Sequence, residues 1–226
     1  MATVVDLRPM LGPVRNQGPF RGTCLAFALT AVHDKAAAIA PAGLSVETLY
    51  WGAKRHDAIT GPGTTFEAAN TALTTWGQPR EVLWAYDPIR DDTSPSYAPP
   101  ADAIDPANCF TASLASIDVT LAAIRESLEA DQPVAIGIPT WPGLRRPTGT
   151  QLRNPATDEL EGGRHAVVIV GYHADTSEIL LRNSWGISWG DDGHAWIPEP
   201  FIEDHVISAW QLEPIRPTTR QDGSTT

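Results

Sequence analysis

Asn16-Gln17-Gly18-Pro19-Phe20-Arg21-Gly22-Thr23-Cys24-Leu25-Ala26-Phe27-Ala28 sets a cysteine at the point where irregular chain turns into helix. Gly18, Pro19 and Gly22 keep the lead-in out of regular structure, and Thr23 is a good N-cap residue. From there Leu25, Ala28, Leu29, Val32, Ala36 and Ile39 recur at helical spacing. Cys24 therefore falls in the first turn of a helix. Unpaired backbone N–H groups and the positive end of the helix dipole there favour the thiolate, the nucleophilic form of cysteine. A buried structural cysteine is the competing reading, because an unpaired Cys commonly packs as a small hydrophobe.

A second stretch far downstream supplies the partners a nucleophile needs. His165-Ala166-Val167-Val168-Ile169-Val170-Gly171-Tyr172 reads as a buried strand, Ala174 to Glu178 as a turn, and Ile179-Leu180-Leu181-Arg182-Asn183 as the returning strand. Their midpoint is Ala174, so hairpin pairing predicts His165 opposite Asn183 on one face. An imidazole that takes a thiol proton needs an orienting partner on its other nitrogen, and an asparagine carbonyl provides one without adding charge. Cys, His and Asn in that chain order fit nucleophile, base and orienter.

These residues carry a resemblance. The chain resembles a papain-like cysteine peptidase through Val14-Arg15-Asn16-Gln17-Gly18 with Cys24-Leu25-Ala26-Phe27-Ala28, through Gly163-Arg164-His165-Ala166-Val167, and through Arg182-Asn183-Ser184-Trp185-Gly186 with Trp189-Gly190 and Gly193. The resemblance implies Cys24 as nucleophile, His165 as general acid/base, Asn183 as orienter and Gln17 as an oxyanion-hole donor. Trp185 would shield the His165–Asn183 hydrogen bond from water. It also implies that Gly61 to Ala68 is a substrate-binding loop, with Gly63 pairing its backbone with an extended substrate and Thr64 and Thr65 lining the neighbouring specificity pocket. Read without the resemblance, Gly61-Pro62-Gly63 is a turn.

Three departures from the family pattern stand out. Cys24 follows Gln17 by seven positions rather than the family's six, so the loop holds one extra residue. Either it bulges outward at Pro19-Phe20 and leaves Gln17 in place, or it displaces the donor, which would cost several kcal/mol of transition-state stabilisation, of order 3. Leu25 replaces the usual tryptophan after the nucleophile, and the cysteine that normally precedes the nucleophile and forms a disulfide is absent. No pro-region is expected ahead of the extended segment Thr3 to Val14, which resembles the start of a mature domain.

The expected fold class is α+β, one papain-like catalytic domain over 1–226 with a helical N-terminal lobe (1–106), an antiparallel β-barrel-like lobe (107–214) and a flexible tail (215–226). Ser45 predicts a helix cap ahead of Val46, Leu49, Tyr50 and Ala53, and Thr64 with Glu67 a capping box ahead of Phe66, Ala69, Leu73 and Trp76. The Pro- and Asp-rich run from Asp87 to Ala107 excludes a helix or central strand and reads as the connection between lobes. Leu121, Ile124 and Leu128 mark a short helix, and Val134 to Ile138, Ala195 to Ile197 and Ile207 to Leu212 mark strands. Trp141 to Gly162 reads as a long loop reaching up to His165. The cleft between the lobes is where an extended peptide would lie.

Composition bounds the function. With 42% hydrophobic and 19% charged residues, the 226-residue chain is ordinary globular protein. Lys+Arg 16 against Asp+Glu 27 gives a net charge of −11, which argues against a nucleic-acid partner and is equally accounted for by solubility. Residues 1 to 20 lack the apolar run of a signal peptide or membrane span. Neither HExxH nor CxxC occurs, so no metal or cofactor is expected. If Cys24 is catalytic, Cys109 has no disulfide partner, which suits a reducing, cytoplasmic compartment. The function expected is thiol-dependent hydrolysis of peptide bonds through an acyl-enzyme. A transpeptidase or peptide-processing enzyme would use the same residues, and a peptide-binding protein with an impaired site is the contrasting possibility.

Overall fold

The computed structural model describes residues 4–39 and 43–213; the tail expected at 215–226 lies outside them. Three helices come first: α1 (Cys24–Ala36), α2 (Val46–Lys54) and α3 (Phe66–Thr75). A seven-stranded antiparallel sheet dominates the rest. It comprises β1 (Val4–Asp6), β4 (Leu114–Ile117), β5 (Val134–Pro139), β6 (Arg164–His173), β7 (Glu178–Arg182), β8 (His194–Pro198) and β9 (Ser208–Leu212), in the order β4-β9-β5-β6-β7-β8 with β1 on β6. A small ladder of β2 (Gln78–Pro79) and β3 (Cys109–Phe110), helix α4 (Leu121–Glu129) and the short helices α5 (Pro142–Arg145) and α6 (Phe201–His205) complete the fold. Among the described residues no helix is long and apolar enough to cross a membrane.

Helix α1 buries nearly every residue from Leu25 to Val32, where a surface helix would bury one face. It lies between the sheet and α2, and its side chains join those of β5, β6 and β9 in one continuous core running from Leu7 to Leu212. Apolar burial on both sides therefore anchors the residue at its N-terminus. The capping expectations hold at Ser45, whose hydroxyl accepts from the Thr48 amide at 3.1 Å. They shift by one at the next helix, where Thr65 rather than Thr64 accepts from Ala68 N at 3.1 Å. They fail at Thr23, because Tyr86 takes its hydroxyl at 2.8 Å instead.

Three further sequence expectations are refined. The segment β1, counted with the helical half, joins the sheet by pairing Val4 with His173 and Asp6 with Gly171. The run from Asp87 to Ala107 holds no α-helix or sheet strand, yet it packs inward on Arg21 and Glu47 rather than only linking lobes. The stretch from Trp141 to Gly162 is not structureless, since it contains α5, and Leu152 donates to the Trp196 carbonyl of β8 at 2.7 Å.

Candidate active site

Strand β6 is buried from His165 to Tyr172, and β7 returns along it after the turn at 174–177. The pairs are Tyr172 with Ile179, Gly171 with Leu180, then Ile169 with Leu181 and Val168 with Arg182, with a bulge between Ile169 and Gly171. The expected register, centred on Ala174, is corrected: the strands turn between Asp175 and Thr176, and the bulge then shifts the pairing by one. Carried on, it sets His165 across from Trp185, so Asn183 is its diagonal neighbour, within reach of a long side chain on the same face. His165 Nε2 and Asn183 Oδ1 are 2.7 Å apart. The Ser184 amide donates to the same oxygen at 2.8 Å, which identifies it as the carbonyl oxygen and makes Nε2 the donor. The neutral ring therefore keeps Nδ1 free to accept a proton. Trp185 covers the pair, its ring 4.6 Å from that of His165, and Trp189 braces Trp185 edge-on at 6.1 Å.

Cys24 begins α1 across the cleft, with its sulfur against the backbone N–H groups of Ala166, Leu25 and Cys24 itself. The Ala166 contact seats the sulfur beside the residue that follows His165. Burial pushes the Cys24 thiol up, and those N–H contacts only partly offset it. Burial therefore opposes the thiolate that the helix N-terminus favours. Burial likewise draws His165 down to about 4; the Asn183 hydrogen bond opposes this and the nearby Arg145 charge adds to it. Burial thus disfavours the charge on each group taken alone. Among the described residues no hydrogen bond yet joins the thiol to the ring, and such bonds commonly tighten only with substrate in place.

Gln17 lies behind this pair, 7% exposed. Its backbone N–H donates to Ser184 O at 2.8 Å, and its carbonyl accepts from Tyr86 Oη at 2.8 Å. Its side-chain Oε1 accepts from Ser184 Oγ at 2.7 Å, which turns the amide nitrogen toward Arg21 O at 3.3 Å. Phe20, in this loop, points out at 74% exposure.

A cleft of about 460 Å³ is lined by Cys24, His165, Gly63, Thr64 and Thr65, with Phe66, Arg164, Ile207 and Ser208 adding to its walls. The structure thus gathers Cys24, His165, Gly63, Thr64 and Thr65 on one cleft, with Asn183 and Trp185 against His165 and Gln17 bonded to Ser184, the residue after Asn183. Gly63, at φ 96°, meets the nucleophile loop directly: a Cβ on Gly22 would lie 2.3 Å from Gly63 N, so only glycine fits there. Lys54 Nζ, donating to the carbonyls of Ile59, Gly61 and Gly63 at 2.7, 3.0 and 3.1 Å, holds this loop shut. The Thr64 hydroxyl is buried with no hydrogen-bond partner among the described residues. The sequence reading gave no role to Lys54, Tyr86, Arg21 or Ser184: Ser184 and Arg21 stood there only as members of quoted stretches, and chain folding alone brings Lys54 and Tyr86 to the site.

A family model described as "Papain family cysteine protease" matches residues 1–200. An uncharacterised peptidase C1-like protein of Acanthamoeba polyphaga mimivirus is 24% identical over 145 residues, 60% of this chain and 47% of that one. Fruit bromelain of Ananas comosus is 28% identical over 92 residues, 39% of this chain and 25% of its own length. The chain thus spans less than half the length of these relatives. Among solved structures, xylellain, a cysteine protease from Xylella fastidiosa, superposes with a TM-score of 0.84 at 21% identity, covering 94% of this chain and 86% of that one. The bromelain protease of Ananas comosus, solved in complex with the E64 inhibitor, gives 0.68 at 17% identity, covering 92% and 97%. Identities this low establish a shared fold.

Proposed function

Because this chain belongs to the papain family of cysteine proteases, we propose that it cleaves peptide bonds through a thioester acyl-enzyme on Cys24. The observation that carries the reading is the 2.7 Å contact from His165 to Asn183, which leaves Nδ1 as the base facing the cleft that Cys24 lines. The Cys24 proton passes to Nδ1 as the sulfur attacks the substrate carbonyl carbon, and the carbonyl π pair moves onto oxygen. The second N–H of the Gln17 amide, beyond the one given to Arg21, donates to that oxyanion. Collapse expels the amine, which leaves with the proton from His165. Water then attacks the thioester with His165 again as base and releases the carboxylate and the thiol. An amine in place of that water would give transpeptidation.

An extended peptide or protein segment in the cleft is the substrate class this chemistry takes. That both cysteines are free agrees with a reducing, cytoplasmic setting. The test is turnover of a mixed peptide library, read by mass spectrometry, with trapping of a thioester on Cys24. Cleaved products that vanish in Cys24→Ala are expected. Peptides retained uncut after long incubation would instead support a binding protein.

A further inference from the structure

The Arg21 side chain is 3% exposed, although it sits in the loop that leads to Cys24. Its two terminal nitrogens grip the Glu47 carboxylate in a fork at 2.9 and 2.7 Å, and the Glu47 side chain is fully buried in α2. Nε reaches Asp92 at 3.0 Å, and Nη1 reaches the Asp87 carbonyl at 2.9 Å. The guanidinium also lies over the rings of Tyr50, Tyr86 and Tyr97 at 5.3, 5.1 and 5.7 Å. Tyr97 closes the circuit by donating to Glu47 at 2.7 Å. Contacts this numerous fix the side chain, and with it the main chain of the same residue. That main chain matters: the Arg21 carbonyl is the acceptor for the Gln17 amide.

We propose that Arg21 is a positioning residue for Gln17: its clamped guanidinium sets where its carbonyl stands, and that carbonyl aims the Gln17 amide at the reacting oxygen. The role rests on the reading of Gln17 as oxyanion donor. It explains how a loop one residue longer than the family pattern still holds that donor. Phe20 stands exposed, while Arg21 and Gly22 on its far side are tied down. Lys at this position keeps the charge but lacks the planar fork, so it cannot hold Glu47, Asp92 and the Asp87 carbonyl together.

The experiment separates aiming from general support by comparing two reactions of the same sulfur. In the first, iodoacetamide is attacked at its methylene carbon and iodide departs, so no oxyanion forms. In peptide cleavage, and in reversible addition to a peptide aldehyde, the carbonyl oxygen becomes charged as sulfur bonds to carbon. Arg21→Lys should lower kcat about tenfold, with KM and the alkylation rate changed by less than about twofold. The paired change Arg21→Met with Glu47→Met removes both buried charges, so it avoids stranding either one. It should lower kcat about 10²-fold, as Gln17→Ala does, and weaken aldehyde binding in parallel. Adding Gln17→Ala to it should cost little more, since both act through one amide.

Alkylation falling in step with kcat would overturn the role and make Arg21 a support of the fold alone. Full kcat in either Arg21 variant, alongside an impaired Gln17→Ala, would overturn this inference and leave the oxyanion reading intact. Full kcat in Gln17→Ala would overturn the oxyanion reading itself, and Arg21's part with it. An unaltered protein that alkylates but never cleaves would overturn the peptidase reading first.

Discussion

His165 and Asn183 are positioned by a ladder of backbone hydrogen bonds between adjacent strands, whereas the loop from Gln17 to Cys24 depends on side chains from distant segments, Tyr97 lying 76 residues from Arg21 and Ser184 167 residues from Gln17. Among the described residues no ion pair joins β5, β6 and β7 to one another: the strands align, a bulge adjusts the register, and the imidazole meets its amide. The helical side is the reverse. Arg21, Glu47, Asp92 and Tyr97 converge in a buried polar cluster, and Lys54 gathers three loop carbonyls. Strand pairing is repetitive, so its error in placement is small and local. Buried ion pairs place a loop well only when every partner is present, because an orphaned charge is costly.

The largest expected effect tests whether the two sides form one machine. Cys24→Ala should reduce peptide turnover by about 10⁴-fold or more, since nucleophile and base act as a unit. His165 should keep its hydrogen bond to Asn183 in that variant, visible as an unchanged downfield imidazole N–H resonance. Loss of that resonance would mean that the sheet side leans on the helical side after all.

Next in size is Glu47→Ala, which leaves the Arg21 guanidinium buried without its fork. It should destabilise the protein by about 3–5 kcal/mol in chemical denaturation. Protease nicking or faster amide exchange should appear in the 17–23 loop while β6 and β7 stay protected. Uniform loss of protection across both sides would erase the distinction drawn above.

Acid should strain the sheet side more. His165 and His194 are each drawn down to about 4 from an ordinary 6.5, both chiefly by burial, with the Arg182 and Arg8 charges adding at His194. Between those values the unfolded chain takes up protons that the native state refuses, so stability falls as pH falls from about 6.5 to 4. For the fully buried His165 the loss is on the order of 3 kcal/mol. Buried His33 in α1 adds in the same sense. Asp34, pushed up to about 6 by burial, and Glu81, raised for the same reason, offset part of it, because the native state holds their protons longer. Melting temperatures measured from pH 7 to 4 should drop, and His194→Asn should make the slope shallower. An unchanged slope would remove His194 from the account. Activity should show an acid limb near the same pH of about 4, as the Cys24–His165 pair gains its second proton.

Thr65→Ala is the mildest test. Removing the hydroxyl that accepts from the Ala68 amide should cost about 1 kcal/mol in α3, and Thr64→Ala should cost less, since Thr64 caps nothing. The reverse order would return the cap to the position expected from sequence.

Legibility followed the same divide. The helix that starts at Cys24, the caps at Ser45 and near Thr65, and the β6–β7 hairpin were readable because periodicity and capping are short-range. The diagonal offset of His165 and Asn183 was not, because the hairpin turns one to two residues later than its apolar pattern implies and a bulge in a buried apolar run leaves no compositional mark. Tyr86 was equally silent: its hydroxyl donates to Gln17 O and takes the Thr23 hydroxyl from 69 and 63 residues away. The strand β4, from Leu114 to Ile117, has too few residues for a period to show.

By itself the sequence determined which residues are candidates for the chemistry and on what local element each one sits, since hydrogen bonding within a turn or between neighbouring strands depends on nearby residues. Only the tertiary structure decided that burial opposes the Cys24 thiolate, which way the Gln17 amide points and what holds it there. Desolvation depends on everything packed around a group, and the Arg21–Glu47 fork joins residues 26 apart whose types, read along the chain, look like ordinary surface charges.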